Sequence, residues 1–392
     1  MGVIWFFCIP AHGHTNPTIE VVRALTGRGH RVRYYSFEEF REKIEGAGAE
    51  FVPCEGYLPP PPEDLDKKAG KDFASLIEMA ADTTIGMQAR IEQDVQAGRP
   101  DCIVSDSVCL WGKLFAWRYG VPFVCSTTTF AFNRYTARRM RQGVGEMVRM
   151  VLGMGRINAK MEQLRSRGYP VKDLVSLIQN DNDTDTIVYT SRQFQPEAET
   201  FSGRYAFVGP SLAQDEGESE REEKVRPLVY ISLGTVLNKQ AAFYRECFHA
   251  LGARELDVVL SAGRGTDLAT LGAIPENFTV QPYVDQLAVL RRADVFLTHC
   301  GMNSVSESLW YGVPMVLFPQ HSEQEAVAGR VEELGAGLRL KRPCAADIRA
   351  AVDGVLTGEN YRRSAAAIRE SLRASGGAKR AAEFIEQVMG KA

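Results

Sequence analysis

Short β-branched apolar runs alternate with longer helical patterns along both halves of this chain, an alternation that restricts it to α/β architectures built on parallel sheets. In the first half, VIWFFCIP (3–10) reads as a buried strand, Asn16 to Arg28 as an amphipathic helix and HRVRYYS (30–36) as the next strand. PDCIVSD (100–106), a helix through Trp111 to Tyr119, and VPFVCST (121–127) repeat the pattern. The second half offers PLVYISLG (227–234), LDVVLSAG (256–263), ADVFLTHCG (293–301) and VPMVLFPQ (313–320), each followed by helical sequence. Between the halves lies QDEGESEREEK (214–224), acidic and almost without apolar residues, which cannot offset its own ordering entropy and reads as a linker. The expected boundaries are an N-terminal domain over 1–210, the linker over 211–226 and a C-terminal domain over 227–375. A C-terminal helix over 376–392 is expected to pack back toward the N-terminal domain. Each domain should be a doubly wound, Rossmann-like sheet with its ligand crevice at the carboxyl ends of the strands, the two facing a central cleft.

Composition narrows the function. A chain of 392 residues can bury two cores. A net charge of −3 gives no global pull toward nucleic acid or anionic membrane, which points to a small-molecule enzyme. The eight cysteines are scattered without a CxxC pair, several inside apolar runs such as VIWFFCIP, so a reducing compartment is expected and a disulfide framework is not. The N-terminal apolar run lacks a basic leader and continues into AHGHTNP, so it reads as a strand and not a signal peptide. No stretch reaches the roughly 18 apolar residues of a membrane span. A cytoplasmic protein without stable membrane association is expected.

The segment THCGMNSVSE follows a strand and opens a helix, where free N–H groups and a partial positive charge suit a phosphate. Gly301 permits close backbone approach, His299, Asn303 and Ser304 are donors, and Glu307 one turn on can accept from a ribose diol. The same Ser304-x-x-Glu307 spacing is a capping box that needs no ligand, and taken alone the two readings stand level. The surroundings favour the ligand: YISLGT (230–235) ends a strand in a Gly-Thr turn, QPYVDQL (281–287) places an aromatic and an amide nearby, and FPQHSEQ (318–324) ends a strand with Glu323 and Gln324 adjacent.

Taken in order, AHGHTNP, PDCIVSDSVCLWGKLFAWRYGVP (100–122) and the series from SLGT to VEELGAG resemble the family 1 UDP-glycosyltransferases of the GT-B fold, in particular the bacterial macrolide-glycosyltransferase branch. The resemblance runs through nearly the whole chain. It implies that Thr235, His299, Asn303 and Ser304 hold a diphosphate, that Glu307 holds the ribose, and that Glu323 and Gln324 read the sugar hydroxyls. Tyr283 falls where the family has a Trp stacking on uracil, and Gln286 where its Gln contacts the nucleoside. Tyr in place of Trp, and Asp285 in place of the usual Pro, leave uridine and thymidine both open.

Transfer to a hydroxyl needs a base that works near neutral pH, which favours histidine. His12 and His14 both lie at the predicted end of the first strand, and the residues alone do not choose between them. The family's base is the His of GHxxP, which matches His14, and Asp106 matches the Asp that orients it, although an N-cap role for Asp106 is compatible. The resemblance therefore implies an inverting hexosyltransferase that moves glucose from UDP-glucose to an apolar aglycone such as a macrolide, polyketide or phenol. Its alternatives are a dTDP-sugar-dependent enzyme and a catalytically silent nucleotide-sugar-binding auxiliary protein. No cofactor or metal is expected: the D-x-D within Asn180–Thr186 reads as a solvated turn. Phe130, Phe132, Met140 and Met147 are expected to line the acceptor pocket together with the 57–90 region. For Met140, Met147, Met154 and Met161, at seven-residue spacing, packing of one helix face is the reading preferred over substrate lining.

Overall fold

The computed structural model describes residues 1–57, 73–137, 144–178, 182–213, 225–234 and 240–390. The chain forms two compact units, one of Met1–Ala213 with Ser375–Ala392 and the other of Gln214–Ala374. The acidic stretch 214–224 lies outside the described residues, as do Thr235 and Met140.

In the first unit, strands β1 (Val3–Phe7), β2 (Arg31–Ser36), β3 (Glu50–Pro53), β4 (Cys102–Asp106), β5 (Phe123–Thr127), β6 (Thr186–Val188) and β7 (Tyr205–Phe207) form one sheet in the order 3-2-1-4-5-6-7. All its pairings are parallel. Both faces are covered, which is why β1 reads as an unbroken apolar run and not an alternation. Trp5 and Phe7 enter one core with Leu114 and Phe115 of the helix Leu110–Tyr119. Ile4, Phe6 and Cys8 enter the opposite core with Val21, Val22 and Leu25 of the helix His12–Gly27. That second core is completed by Ala381, Phe384, Ile385 and Val388 of the helix Gly377–Met389. Glu386 on the same helix pairs with Arg28 (2.7 Å) and His30 (3.0 Å).

The second unit carries β8 (Leu228–Ser232), β9 (Asp257–Ser261), β10 (Phe278–Gln281), β11 (Val295–Thr298), β12 (Met315–Leu317) and β13 (Gly337–Arg339) in the order 10-9-8-11-12-13, again all parallel. Val229 and Ile231 of β8 and Val295 and Leu297 of β11 enter its main core. Tyr230 and Phe296 point to the other face and stack there, ring centroids 4.7 Å apart.

One boundary departs from expectation. The first helix begins at His12, four residues before Asn16, so His12 and His14 stand in its first turn and not on the strand. The helix runs through Pro17, at the cost of the intrahelical hydrogen bond that a proline cannot donate. Among the described residues no helix is long and apolar enough to cross a membrane. All eight cysteines are free, and all but Cys344 are buried. Ile385 is fully buried between the C-terminal helix and the sheet. Ile385→Ala should therefore cost about 2–5 kcal/mol, read as a lower urea midpoint at unchanged slope.

Candidate active site

Each sheet reverses its strand order at its first strand, between β1 and β4 and between β8 and β11. Connections diverge to opposite faces there and leave room at the carboxyl ends of the strands. The two candidate clusters occupy these two places.

At the first reversal, Asp106 ends β4 with the parity of Cys102 and Val104, which face the helix His12–Gly27. His14 stands in that helix's first turn, and its Nδ1 lies 2.7 Å from Asp106 Oδ2. The Asp106 side chain is 1% exposed and that of His14 21%, so the carboxylate is enclosed while the imidazole keeps an open edge. The Val108 N–H donates to Asp106 Oδ1 (2.9 Å). An ionised carboxylate can only accept, so Nδ1 carries the proton and Nε2 presents its lone pair. Thr128, just beyond β5, places Oγ1 3.2 Å from the same Nδ1 and shares its hydrogen. Nothing in the sequence patterning singled out Thr128, although its place after a strand's carboxyl end was a usable signal. His12 instead pairs with Glu39 (2.8 Å) and packs edge-on to Phe40. The two histidines are thus separated by their partners, a carboxylate at the end of β4 for His14 and one on a surface turn for His12.

At the second reversal, His299 follows β11 and is half-buried. Burial, with His321 adding to it against a backbone hydrogen bond at Ser232, holds its pKa down to about 4, so the ring is neutral near pH 7. A Cβ on Gly234 or on Gly301 would each come within 2.6 Å of His299 Nε2. Both glycines therefore make room for this imidazole, a reason beyond the anion approach expected of Gly301. Cys300 between them holds φ +67°, a conformation uncommon for a residue with a side chain.

The capping-box reading of Ser304 and Glu307 fails. Gly301 is the N-cap of the helix Met302–Trp310, with no side-chain cap, and Ser304 is already the third helical residue. Asn303 lies in the same first turn. Ser304 and Glu307 turn instead to Gln286, whose Nε2 donates to Glu307 Oε2 (2.5 Å) and Ser304 Oγ (3.3 Å). Burial raises the Glu307 pKa to about 7, the Gln286 hydrogen bond opposing it and Asp285 adding to it. Asp285 caps the helix Gln286–Leu290 by accepting from the Ala288 N–H (3.2 Å), which gives this departure from the usual proline a structural role. Tyr283 is 63% exposed, with the Arg264 guanidinium 5.5 Å from its ring centroid.

Glu323 and Gln324 open the helix Ser322–Glu333 but differ in setting. Glu323 is exposed, whereas Gln324 is buried and accepts through Oε1 from the Gln320 N–H (2.8 Å). Phe130 packs on Phe194, and Phe132 is 41% exposed in the same loop as Thr128. Met147 lies on the helix Val144–Ser166, its side chain outside the described residues. Met154 and Met161, further along that helix, pack into the first unit's core, so for these two the packing reading holds. Asp185, after the D-x-D stretch, pairs with Arg204 (3.0 Å), and among the described residues no group of three His, Cys, Asp or Glu is placed to hold a metal.

The family model described as "UDP-glucoronosyl and UDP-glucosyl transferase" matches residues 192–375. The NDP-glycosyltransferase YjiC of Bacillus subtilis (strain 168) is 34% identical, covering 98% of this chain and 96% of its own. Demethyllactenocin mycarosyltransferase of Streptomyces fradiae is 31% identical over 100% of this chain and 87% of its own. Among solved structures, the glycotransferase of kitacinnamycin superposes with a TM-score of 0.84 at 29% identity, covering 99% of this chain and 98% of that one.

The half-buried Glu307 makes stability depend on pH. Its folded pKa lies above the ordinary 4.5, so its contribution is fully present below about 4.5 and is lost as pH rises through about 7. Part of the side chain keeps solvent access, which brings the effect to ~2 kcal/mol. Ligand-free wild type should therefore lose more melting temperature between pH 5 and 8 than Glu307→Gln, which does not titrate.

Proposed function

Since the chain belongs to the family 1 UDP-glycosyltransferases and is a glycosyltransferase of the GT-B fold class, we propose that it moves glucose from UDP-glucose to a hydroxyl of a small, largely apolar aglycone, with inversion at the anomeric carbon. The observation that carries this reading is the His14–Asp106 pair, Nδ1 and Oδ2 2.7 Å apart, with the carboxylate enclosed and the imidazole partly exposed. His14 takes the acceptor proton as its oxygen attacks the anomeric carbon. Asp106 fixes the tautomer and stabilises the imidazolium that forms.

On the donor side, the N-terminus of the helix Met302–Trp310, neutral His299, Asn303, Ser304 and Thr235 stabilise the departing diphosphate. Glu307 and Gln286 take the ribose side, Tyr283 stacks on the base, and Glu323 with Gln324 reads the sugar. Glucose and uridine are supported by the family description, which names UDP-glucosyl beside UDP-glucuronosyl transfer. An aglycone acceptor is supported by the mycarosyltransferase and the kitacinnamycin enzyme, whose names tie them to natural products. Phe130 and Phe132, on the loop beyond β5, supply apolar surface beside the base. The charge stabilisation needs no metal, and a cytoplasmic setting fits seven buried cysteine thiols.

Incubation with UDP-glucose and a panel of phenols and macrolides should release UDP and add one hexose to the acceptor, undiminished by EDTA. dTDP-glucose outperforming UDP-glucose would replace the uridine assignment, and complete loss in EDTA restored by manganese would overturn the metal-independent mechanism. His14→Ala should lower turnover by at least about 10³-fold while leaving UDP affinity within twofold. Loss of both together would show that His14 holds the fold and not the chemistry.

A further inference from the structure

Gln286 and Glu307 stand on separate helices, and an amide is two-faced: one end donates, the other accepts. Which end meets Glu307 decides whether the contact joins a donor to a carboxylate or sets two acceptors against each other at 2.5 Å. The structure assigns that choice to Tyr230: its hydroxyl donates to Gln286 Oε1 (3.1 Å), turning Nε2 onto Glu307 and Ser304 and holding the carboxylate in place for a ribose diol. Tyr230 is thus a positioning residue for the nucleotide site, an assignment that rests on Gln286 and Glu307 being nucleoside contacts.

Packing alone does not call for the hydroxyl. The ring lies against Phe296, centroids 4.7 Å apart and planes 16° from parallel, a contact that phenylalanine would make as well. The residue is nonetheless tyrosine and 1% exposed, so its O–H must find a partner inside the protein. The Ser232 and Ser261 hydroxyls lie beside the phenol oxygen and favour its own hydrogen pointing to Gln286. Ser232 also accepts from the Gly234 N–H (3.3 Å), so the same group of hydroxyls reaches the turn that ends β8. The chain order hides this arrangement, since Tyr230 lies 56 residues from Gln286 and Gln286 lies 21 from Glu307.

The test is a double-mutant cycle of Tyr230→Phe and Gln286→Ala, read by calorimetric UDP binding, donor and acceptor KM, kcat and thermal melting. Tyr230→Phe should raise the UDP Kd and the donor KM about fivefold, with kcat and acceptor KM within twofold and melting unchanged within about two degrees. In the Gln286→Ala background it should add nothing further. Unchanged UDP affinity in Tyr230→Phe, or penalties that simply add, would overturn the assignment. If Gln286→Ala and Glu307→Ala both bind UDP as wild type does, the donor-site reading itself falls and the role of Tyr230 with it.

Discussion

A parallel sheet wound in both directions from one strand must open at its carboxyl edge where the winding reverses, because the two connections leave toward opposite faces. Both units obey this constraint, at β1/β4 and at β8/β11. Register then selects the side chains. Pairing of Phe7 with Ser105 brings the ends of β1 and β4 level, so Asp106 meets the first turn of the helix that follows β1. Pairing of Ser232 with Thr298 does the same for β8 and β11 and sets the Gly234 turn against His299. One topological rule, used twice, places both groups of chemically active residues.

What the two openings hold differs in electrostatics more than in geometry. His14 is partly exposed and has a carboxylate partner, a setting that suits an imidazole able to take a positive charge. His299 packs against two glycines, and desolvation keeps it neutral with a pKa of about 4. The same residue type thus stands beside a carboxylate in one unit and just before a helix N-terminus, as a neutral group, in the other. Glu307 shows the complementary effect, since a carboxylate deep enough to titrate near 7 gains most from hydroxyl and amide donors that satisfy its charge.

Much of this was legible in the chain because β1, β4, β8 and β11 are central strands covered on both faces, which makes them near-continuous apolar runs. The strands β3, β6, β7, β10 and β13 went unread: each is only three or four residues long, too short for a period to register, and all but β6 lie at a sheet edge. The start of the first helix was misplaced because Gly13 and Pro17 are loop signals that tertiary packing overrode. His14, Asp106 and the Ser304–Glu307 pair were visible as motif residues. Thr128, Tyr230 and Arg264 were not, because each acts on a partner distant in sequence: Thr128 lies 114 residues from His14.

The two departures from the family pattern near the base site find structural partners of their own. A proline before Gln286 would pre-set the backbone entering that helix, but proline has no side-chain acceptor. Asp285 supplies one and caps the helix through the Ala288 N–H. Tyr283 offers a smaller ring than tryptophan, and Arg264 brings a flat guanidinium to 5.5 Å from its centroid. The guanidinium lies over the phenol ring and adds donors suited to carbonyl oxygens. Tyr283 therefore cannot be weighed apart from the loop that follows β9.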